Sequence, residues 1–189
     1  DSRKKGVATS IGHAPGSALI DPAAGSKLSI AEALTNIIWA PISNQLQGVS
    51  LSANWMWPAK NKGEDARLYK AVEAVSEFAC ALGINIPTGK DSLSMKQKYP
   101  DGKEVYSPGT VIISAAGPVD DISKVVSPVL SQNENTILLL IDLSKDAYAL
   151  GGSSFAQTLN KVGDETPTVN DASYFVKAFN AIQKLIADE

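Results

Sequence analysis

The sequence predicts an α/β (α+β) protein, a mixed or antiparallel sheet with helices packed on one face. Three observations carry that expectation. Apolar residues recur at steps of three and four around 30–38, 68–82 and 172–186, which is the helical period. Short β-branched runs lie between and after the first two of these windows. Tyr99-Pro100-Asp101-Gly102-Lys103 is a hairpin turn, because Pro presets φ and Gly accepts a positive φ. The 189 residues, 44% hydrophobic and 20% charged, fit one globular domain, or one domain with part of another.

In chain order, residues 6–25 are rich in Gly, Ala, Ser and Pro, and Asp21-Pro22-Ala23-Ala24-Gly25 reads as a turn. A helix follows with Ser26 as N-cap, Ile30, Ala31, Leu34, Ile37 and Ile38 on one face, and Pro41 as its stop. Residues 48–52 form a short strand. Asn54-Trp55-Met56-Trp57-Pro58 then reads as a loop whose two Trp pack beneath it or against a partner. Glu64 or Asp65 opens the clearest helix, which buries Leu68, Ala71, Val72, Val75, Phe78, Ala79 and Leu82 and closes at Gly83. Cys80 on that helix is structural. Ile84-Asn85-Ile86 starts a strand that Pro87 interrupts, delivering the chain to a turn over residues 89–95. The hairpin returns through Val105 and Tyr106, and residues 110–116 form a Val- and Ile-rich strand suited to a sheet centre. Residues 117–135 read as a domain junction, which divides the chain into 1–119 and 120–189. The second unit opens with a buried strand over 136–143, continues through Leu150-Gly151-Gly152-Ser153-Ser154 into a helix over 153–161, and ends in a helix capped by Asn170 or Asp171. Its one strand and two helices make it incomplete.

Composition narrows the chemistry. A net charge of −3 lacks the basic surplus that a nucleic-acid footprint needs, so the expected ligand is a small molecule. No apolar run reaches the length of a bilayer span, which excludes a membrane helix. Cys80 is the only cysteine, so no internal disulfide forms, which suits a reducing cytoplasm. His13 is the only histidine, and it sits in an exposed-type Gly-Pro loop, leaving little room for His-based metal or triad chemistry. The start at Asp1-Ser2-Arg3-Lys4-Lys5, without an initiator Met or a signal pattern, predicts a piece of something longer.

Two constellations carry possible chemistry. Gly89-Lys90-Asp91-Ser92-Leu93-Ser94-Met95 offers close backbone approach at Gly89, a cation, an anion and two hydroxyls. The same string also fits an ordinary exposed turn. Glu32 and Asn36 fall together at i, i+4 on the side opposite the apolar stripe, a carboxylate and an amide able to serve as oxygen ligands for Mg²⁺. A solvated polar face has the same spacing. The Gly151-Gly152 turn ahead of a helix suits a phosphate or simply a tight turn.

Taken together, Gly6-Val7-Ala8-Thr9-Ser10-Ile11-Gly12, Asp21-Pro22-Ala23-Ala24-Gly25, Glu32-Ala33-Leu34-Thr35-Asn36, Asn54-Trp55-Met56-Trp57 and the Gly89 to Met95 stretch occur in an order and spacing that resembles the large, single-chain phosphoribosylformylglycinamidine synthases. The resemblance covers nearly the whole chain. It implies a fold like the aminoimidazole ribonucleotide synthetase N-terminal domain over 1–119, the second of two in such a synthase, followed by the opening of a companion C-terminal-like α/β domain over 120–189. Two such N-terminal domains pair their sheets into a barrel with a ligand site at each end. One site is catalytic and the other holds a structural nucleotide with Mg²⁺.

The implied activity is a glutamine-using, ATP-dependent ligase of purine biosynthesis, with ATP/ADP and Mg²⁺ as cofactors of the complete enzyme. By resemblance, Glu32 and Asn36 match metal ligands of the auxiliary nucleotide site. Gly89, Lys90, Asp91 and Ser92 match the segment that reaches substrate and nucleotide. Lys90 stands where the small form of the enzyme has a metal-ligating Asn. A protonated lysine cannot ligate Mg²⁺, so a phosphate or carboxylate contact is expected instead, and Ser92 keeps the substrate contact. No catalytic residue is assigned within the chain, and the piece alone is expected to be inactive. Its partners are the remaining domains of the same chain, the first synthetase half and the glutaminase domain, and its exposed Trp pair would let an isolated piece self-associate. Alternatives are a purely structural nucleotide-holding half, another synthetase of the superfamily, or an interaction domain.

Overall fold

A computed structural model describes residues 4–144 and 147–188. Its centre is a mixed four-stranded sheet in the order β1-β6-β2-β3. β1 (Gly6–Gly12) pairs antiparallel with β6 (Thr110–Val119), β6 pairs antiparallel with β2 (Ser50–Met56), and β2 pairs parallel with β3 (Asn85–Ser92). The expected hairpin forms a separate ribbon, β4 (Lys96–Lys98) and β5 (Glu104–Tyr106). Five α-helices are described: α1 (Pro15–Ile20), α2 (Pro22–Ile37), α3 (Glu64–Leu82), α4 (Ser154–Thr158) and α5 (Ala172–Asp188).

The sheet has one covered face, as expected. Leu51, Ala53, Val111, Ile113, Ala115 and Val119 point into a core shared with Ile30, Leu34 and Ile37 of α2 and Val75, Phe78 and Leu82 of α3. Strand alternation then leaves Thr9, Ile11, Ser50, Ser52, Ser114 and Thr88 on the opposite, open face.

Several elements differ from expectation for identifiable reasons. β1 and α1 lie in the Gly- and Ala-rich opening, where small residues hide the hydrophobic period. In β1 the inward positions are Ala8, Ser10 and Gly12 because α2 packs very close: a Cβ at Gly12 would overlap Ser29 O and Ala33 N. α2 starts at Pro22, capped by Asp21, whose Oδ1 accepts from the N–H groups of Ala23 and Ala24 at 2.8 and 3.1 Å. Asp before Pro at the first helical position is the stronger start signal, and Ser26 is buried inside the helix. Asn54 to Met56 is the end of β2, not a loop, and Trp57 follows directly. Trp57 is fully buried with its indole N–H donated to Glu64 at 2.9 Å, so it packs within the chain. Val72 and Cys80 on α3 are exposed, so Cys80 has no structural role in the core.

Pro87 does not stop its strand. The register between β2 and β3 shifts between Ser50 and Ser52, leaving an extra residue opposite them at the edge. Pro is tolerated there because an edge bulge needs no N–H from it. β3 therefore runs on to Ser92, and Gly89 to Ser92 is strand, where a turn was expected.

The apolar run over 136–143 is not a strand. Leu138, Leu139 and Leu140 are 74%, 83% and 92% exposed, and no described segment pairs with them. A strand needs a ladder partner whatever its propensity. α5, by contrast, joins the main core. Phe175 and Phe179 are fully buried, and Phe78 meets Phe175 edge-on with ring centroids 6.2 Å apart. Buried Gln183 accepts from Ile42 N–H at 2.7 Å and donates to the carbonyls of Ile38 and Ala40, satisfying the backbone that leaves α2.

Candidate functional site

β3 sets the first constellation. Its pairing with β2 places Gly89 opposite Ala53, Lys90 opposite Asn54, Asp91 opposite Trp55 and Ser92 opposite Met56. Gly89 and Asp91 thus lie on the helix side, while Lys90 and Ser92 share the open face with Thr88, Ser52 and Asn54. Gly89 is required at its position, since a Cβ there would overlap the Ala53 carbonyl. The Lys90 ammonium folds back along its own strand, donating to Asp91 O at 2.6 Å and to Ser92 Oγ at 2.7 Å. Asn54 Oδ1 is buried beside it without a hydrogen-bond partner among the described residues. Beyond these residues the open face continues as a groove of about 630 Å³ lined by Thr9, Ser52, Thr88 and Ser114.

The second constellation is on α2. Glu32 and Asn36 are exposed and adjacent, and both reach the end of β1: Glu32 Oε2 accepts from His13 N–H at 2.5 Å, and Asn36 Nδ2 donates to Ile11 O at 2.9 Å. Asn36 Oδ1 and the second carboxylate oxygen of Glu32 remain available for a cation. Among the described residues no cluster of three or more His, Cys, Asp or Glu forms, so any cation here would be shared with other ligands. That donor set fits Mg²⁺, which keeps waters and phosphates for its other positions. Glu32 also borders a cleft of about 330 Å³ with His13, Thr35, Ser144 and Phe175. His13 itself is exposed, as expected.

The two constellations are not brought together. Gly12, Ile113, Ala53 and Gly89 form one row across the sheet. Gly12 and Gly89 are three strand spacings apart, about 14 Å. Ser52, Asn54 and Thr88 were not among the site residues that the sequence singled out. For Ser52 and Asn54 the signal was available in the alternation Ser50-x-Ser52-x-Asn54, a polar period of two inside what read as strand and loop.

The Gly151-Gly152 turn serves packing. Gly151 N–H donates to Glu165 O at 2.8 Å, Gly152 N–H to Val162 O at 2.7 Å and Ser153 N–H to Leu150 O at 3.2 Å, while Gly152 sits directly against Gly16 of α1. Those N–H groups are spent on the turn, which is therefore the tight-turn alternative and not a phosphate cradle.

Next to β3, the hairpin carries a surface charge cluster. Glu104 accepts from the Tyr106 hydroxyl at 2.7 Å and pairs with Lys98 at 2.9 Å and Lys96 at 3.3 Å. The Tyr106 hydroxyl, then the lysines, lower the Glu104 carboxyl from an ordinary 4.5 to about 2, and Glu104 in turn raises Lys98 and Tyr106. A depressed folded-state value stabilises the ribbon above pH 4.5 and loses that contribution as pH falls through about 2. We expect the Tyr106 ring resonances to hold steady from neutral pH down past 4.5 and then shift through an acid step centred at about 2. Glu104→Gln should abolish the step in the same NMR titration.

With this geometry in place, comparison with known proteins identifies the domain. The FGAR-AT PurM_N-like domain model matches residues 2–118. The chain belongs to that family. A plant relative from Arabidopsis thaliana, the probable phosphoribosylformylglycinamidine synthase, chloroplastic/mitochondrial, is 42% identical over 184 residues, which is 97% of this chain and 13% of the relative. The chain thus spans a small part of the length of that relative. Among solved structures, T. maritima PurL complexed with AMPPCP aligns over 98% of this chain and 25% of its own, with a TM-score of 0.60 at 13% identity. The same protein complexed with FGAR gives a TM-score of 0.60 at 13% identity, over 98% of this chain and 28% of its own. At that identity the structures establish the shared fold, the mixed sheet with helices on one side.

Proposed function

We propose that the chain is a segment of a phosphoribosylformylglycinamidine synthase, the ligase that uses ATP and glutamine to convert formylglycinamide ribonucleotide to formylglycinamidine ribonucleotide. The observation that carries this reading is 42% identity to the plant synthase across 97% of the chain, which leaves little of the domain for another chemistry. In this reading residues 1–119 form the second synthetase N-terminal-like domain, and 120–189 the linker and opening of the companion domain, with α5 as the part that seals the helix layer. The open sheet face meets the first synthetase half, and the glutaminase domain of the same enzyme supplies ammonia. Phosphoryl transfer is catalysed mainly by positioning and charge neutralisation, which is the work a wall of amide, hydroxyl and ammonium groups can do.

Within that enzyme, the strand Gly89, Lys90, Asp91 and Ser92 borders the substrate and nucleotide side, Lys90 and Ser92 facing it and Ser92 donating to substrate, while Gly89 and Asp91 face the helices. Glu32 and Asn36 hold Mg²⁺ at an auxiliary nucleotide. The metal, when bound, neutralises and orients nucleotide phosphates. The wide separation of the two constellations favours assigning them to different ligands, one reacting and one structural. The exposed, unpaired Cys80 suits a reducing compartment, and we propose the cytoplasm, although the name of the plant relative gives chloroplast and mitochondrion. Among the described residues no helix is long and apolar enough to cross a membrane.

The test is equilibrium binding of ADP with Mg²⁺ to the full-length synthase. Glu32→Ala should weaken it by more than the tenfold or so that loss of an outer-sphere partner costs. Unchanged affinity would remove the metal assignment.

A further inference from the structure

We propose that Lys90 is a positioning residue for Ser92, fixing which way the serine hydroxyl points, so that its proton is presented to substrate on the open face. The inference rests on the reading of Ser92 as a substrate contact and assigns Lys90 a role in place of a direct contact of its own.

The argument begins with strand geometry. Residues two apart in a strand share a face, so Lys90 and Ser92 are neighbours on the open side, and the lysine chain is long enough to lie along the strand. An ammonium has three N–H donors and no acceptor. Two of them are used within the strand, on Asp91 O at 2.6 Å and Ser92 Oγ at 2.7 Å. A serine hydroxyl has one proton to give and two lone pairs. With Oγ accepting from Lys90, its proton turns away from the ammonium, and among the described residues nothing accepts it. Lys90 therefore converts an ambivalent hydroxyl into an oriented donor, and its positive charge polarises that O–H, which strengthens the bond it can make. The third ammonium N–H remains for water.

The ligand atom this arrangement selects is an oxygen bearing lone pairs, such as a carbonyl, phosphate or formamide oxygen.

The experiment is a double-mutant cycle in the full-length synthase, reading kcat and KM for formylglycinamide ribonucleotide. Ser92→Ala should raise KM by about tenfold or more, the usual size of a hydrogen bond involving a charged group. Lys90→Met should do nearly the same, while Lys90→Met in the Ser92→Ala background adds little. Lys90→Arg, which retains charge and donors, should recover part of the loss. Both side chains are at the surface, so folding is expected to survive, and a thermal melt checks each variant. Multiplicative losses in the double variant would overturn the proposal, since Lys90 would then act independently of Ser92. A Ser92→Ala enzyme with unchanged kcat and KM would overturn instead the reading on which it rests. Failure of Lys90→Arg to recover anything, when Lys90→Met alone is impaired, counts against a role through donated hydrogen bonds.

Discussion

Phe175→Ala should lower the unfolding free energy by about 3–5 kcal/mol, the range for removing a fully buried aromatic ring. Phe175 has no exposed surface, and its ring meets Phe78 of α3 at an interplanar angle of 81°. The edge-on contact itself is worth about 0.5–1.5 kcal/mol beyond area burial. Truncation opens a cavity between α5 and α3 that the neighbours cannot close, because Phe179 and Gln183 are fixed on the same face by core packing and by three backbone hydrogen bonds. The substitution also tests how the last helix belongs to the molecule. If α5 is part of one cooperative core, urea unfolding followed by Trp fluorescence and by far-UV circular dichroism will show one transition moved to lower urea by both probes. Two transitions, with the fluorescence step unmoved, would show α5 to be an appended helix whose loss leaves the sheet intact.

Sequence reasoning recovered the helices with a strong apolar period and the turn whose residues have only one conformation. α3 closes at Gly83, which adopts φ 71°, and α5 is capped by Asp171, whose Oδ1 accepts from Tyr174 N–H at 2.8 Å. The hairpin sits where Pro100 and Gly102 require it. The failures share a cause: they depend on what packs against the segment. β1 is invisible because its inward residues are small, and they are small because α2 lies close, a fact of tertiary structure. β3 passes through Pro87 because an edge bulge exists there, and a bulge is set by the partner strand. The 136–143 run has strand propensity without a partner. For the site, the spacing of Glu32 and Asn36 predicted their shared exposed side, and the residue types at Gly89 to Ser92 marked the stretch. What spacing could not supply is the face on which Lys90 and Ser92 emerge, since a turn and a strand orient the same four residues differently.

Gly12→Ala should be strongly destabilising, and its effect should reach Glu32 and Asn36. The added methyl would overlap Ser29 O and Ala33 N, both backbone atoms of α2, so no side-chain rotation relieves it. Overpacking typically costs about 1–3 kcal/mol and more where backbone must move. α2 must then lift from β1 or β1 must leave its register with β6. Either motion breaks the two bonds that hold the end of β1 to α2, Glu32 to His13 N–H and Asn36 to Ile11 O. Two measurements separate this from simple destabilisation. The melting temperature should fall by several degrees, about 2–4 °C per kcal/mol for a chain of this size. The His13 amide should in addition exchange faster under native conditions, because its acceptor has moved, whereas a merely destabilised fold would accelerate exchange across the core together. Val7→Ala on the same strand, 72% exposed on the open face, is the control and should stay within about 0.5 kcal/mol of the original chain. If Gly12→Ala melts with that control and leaves His13 protected, the close approach of α2 to β1 does not govern the position of Glu32 and Asn36.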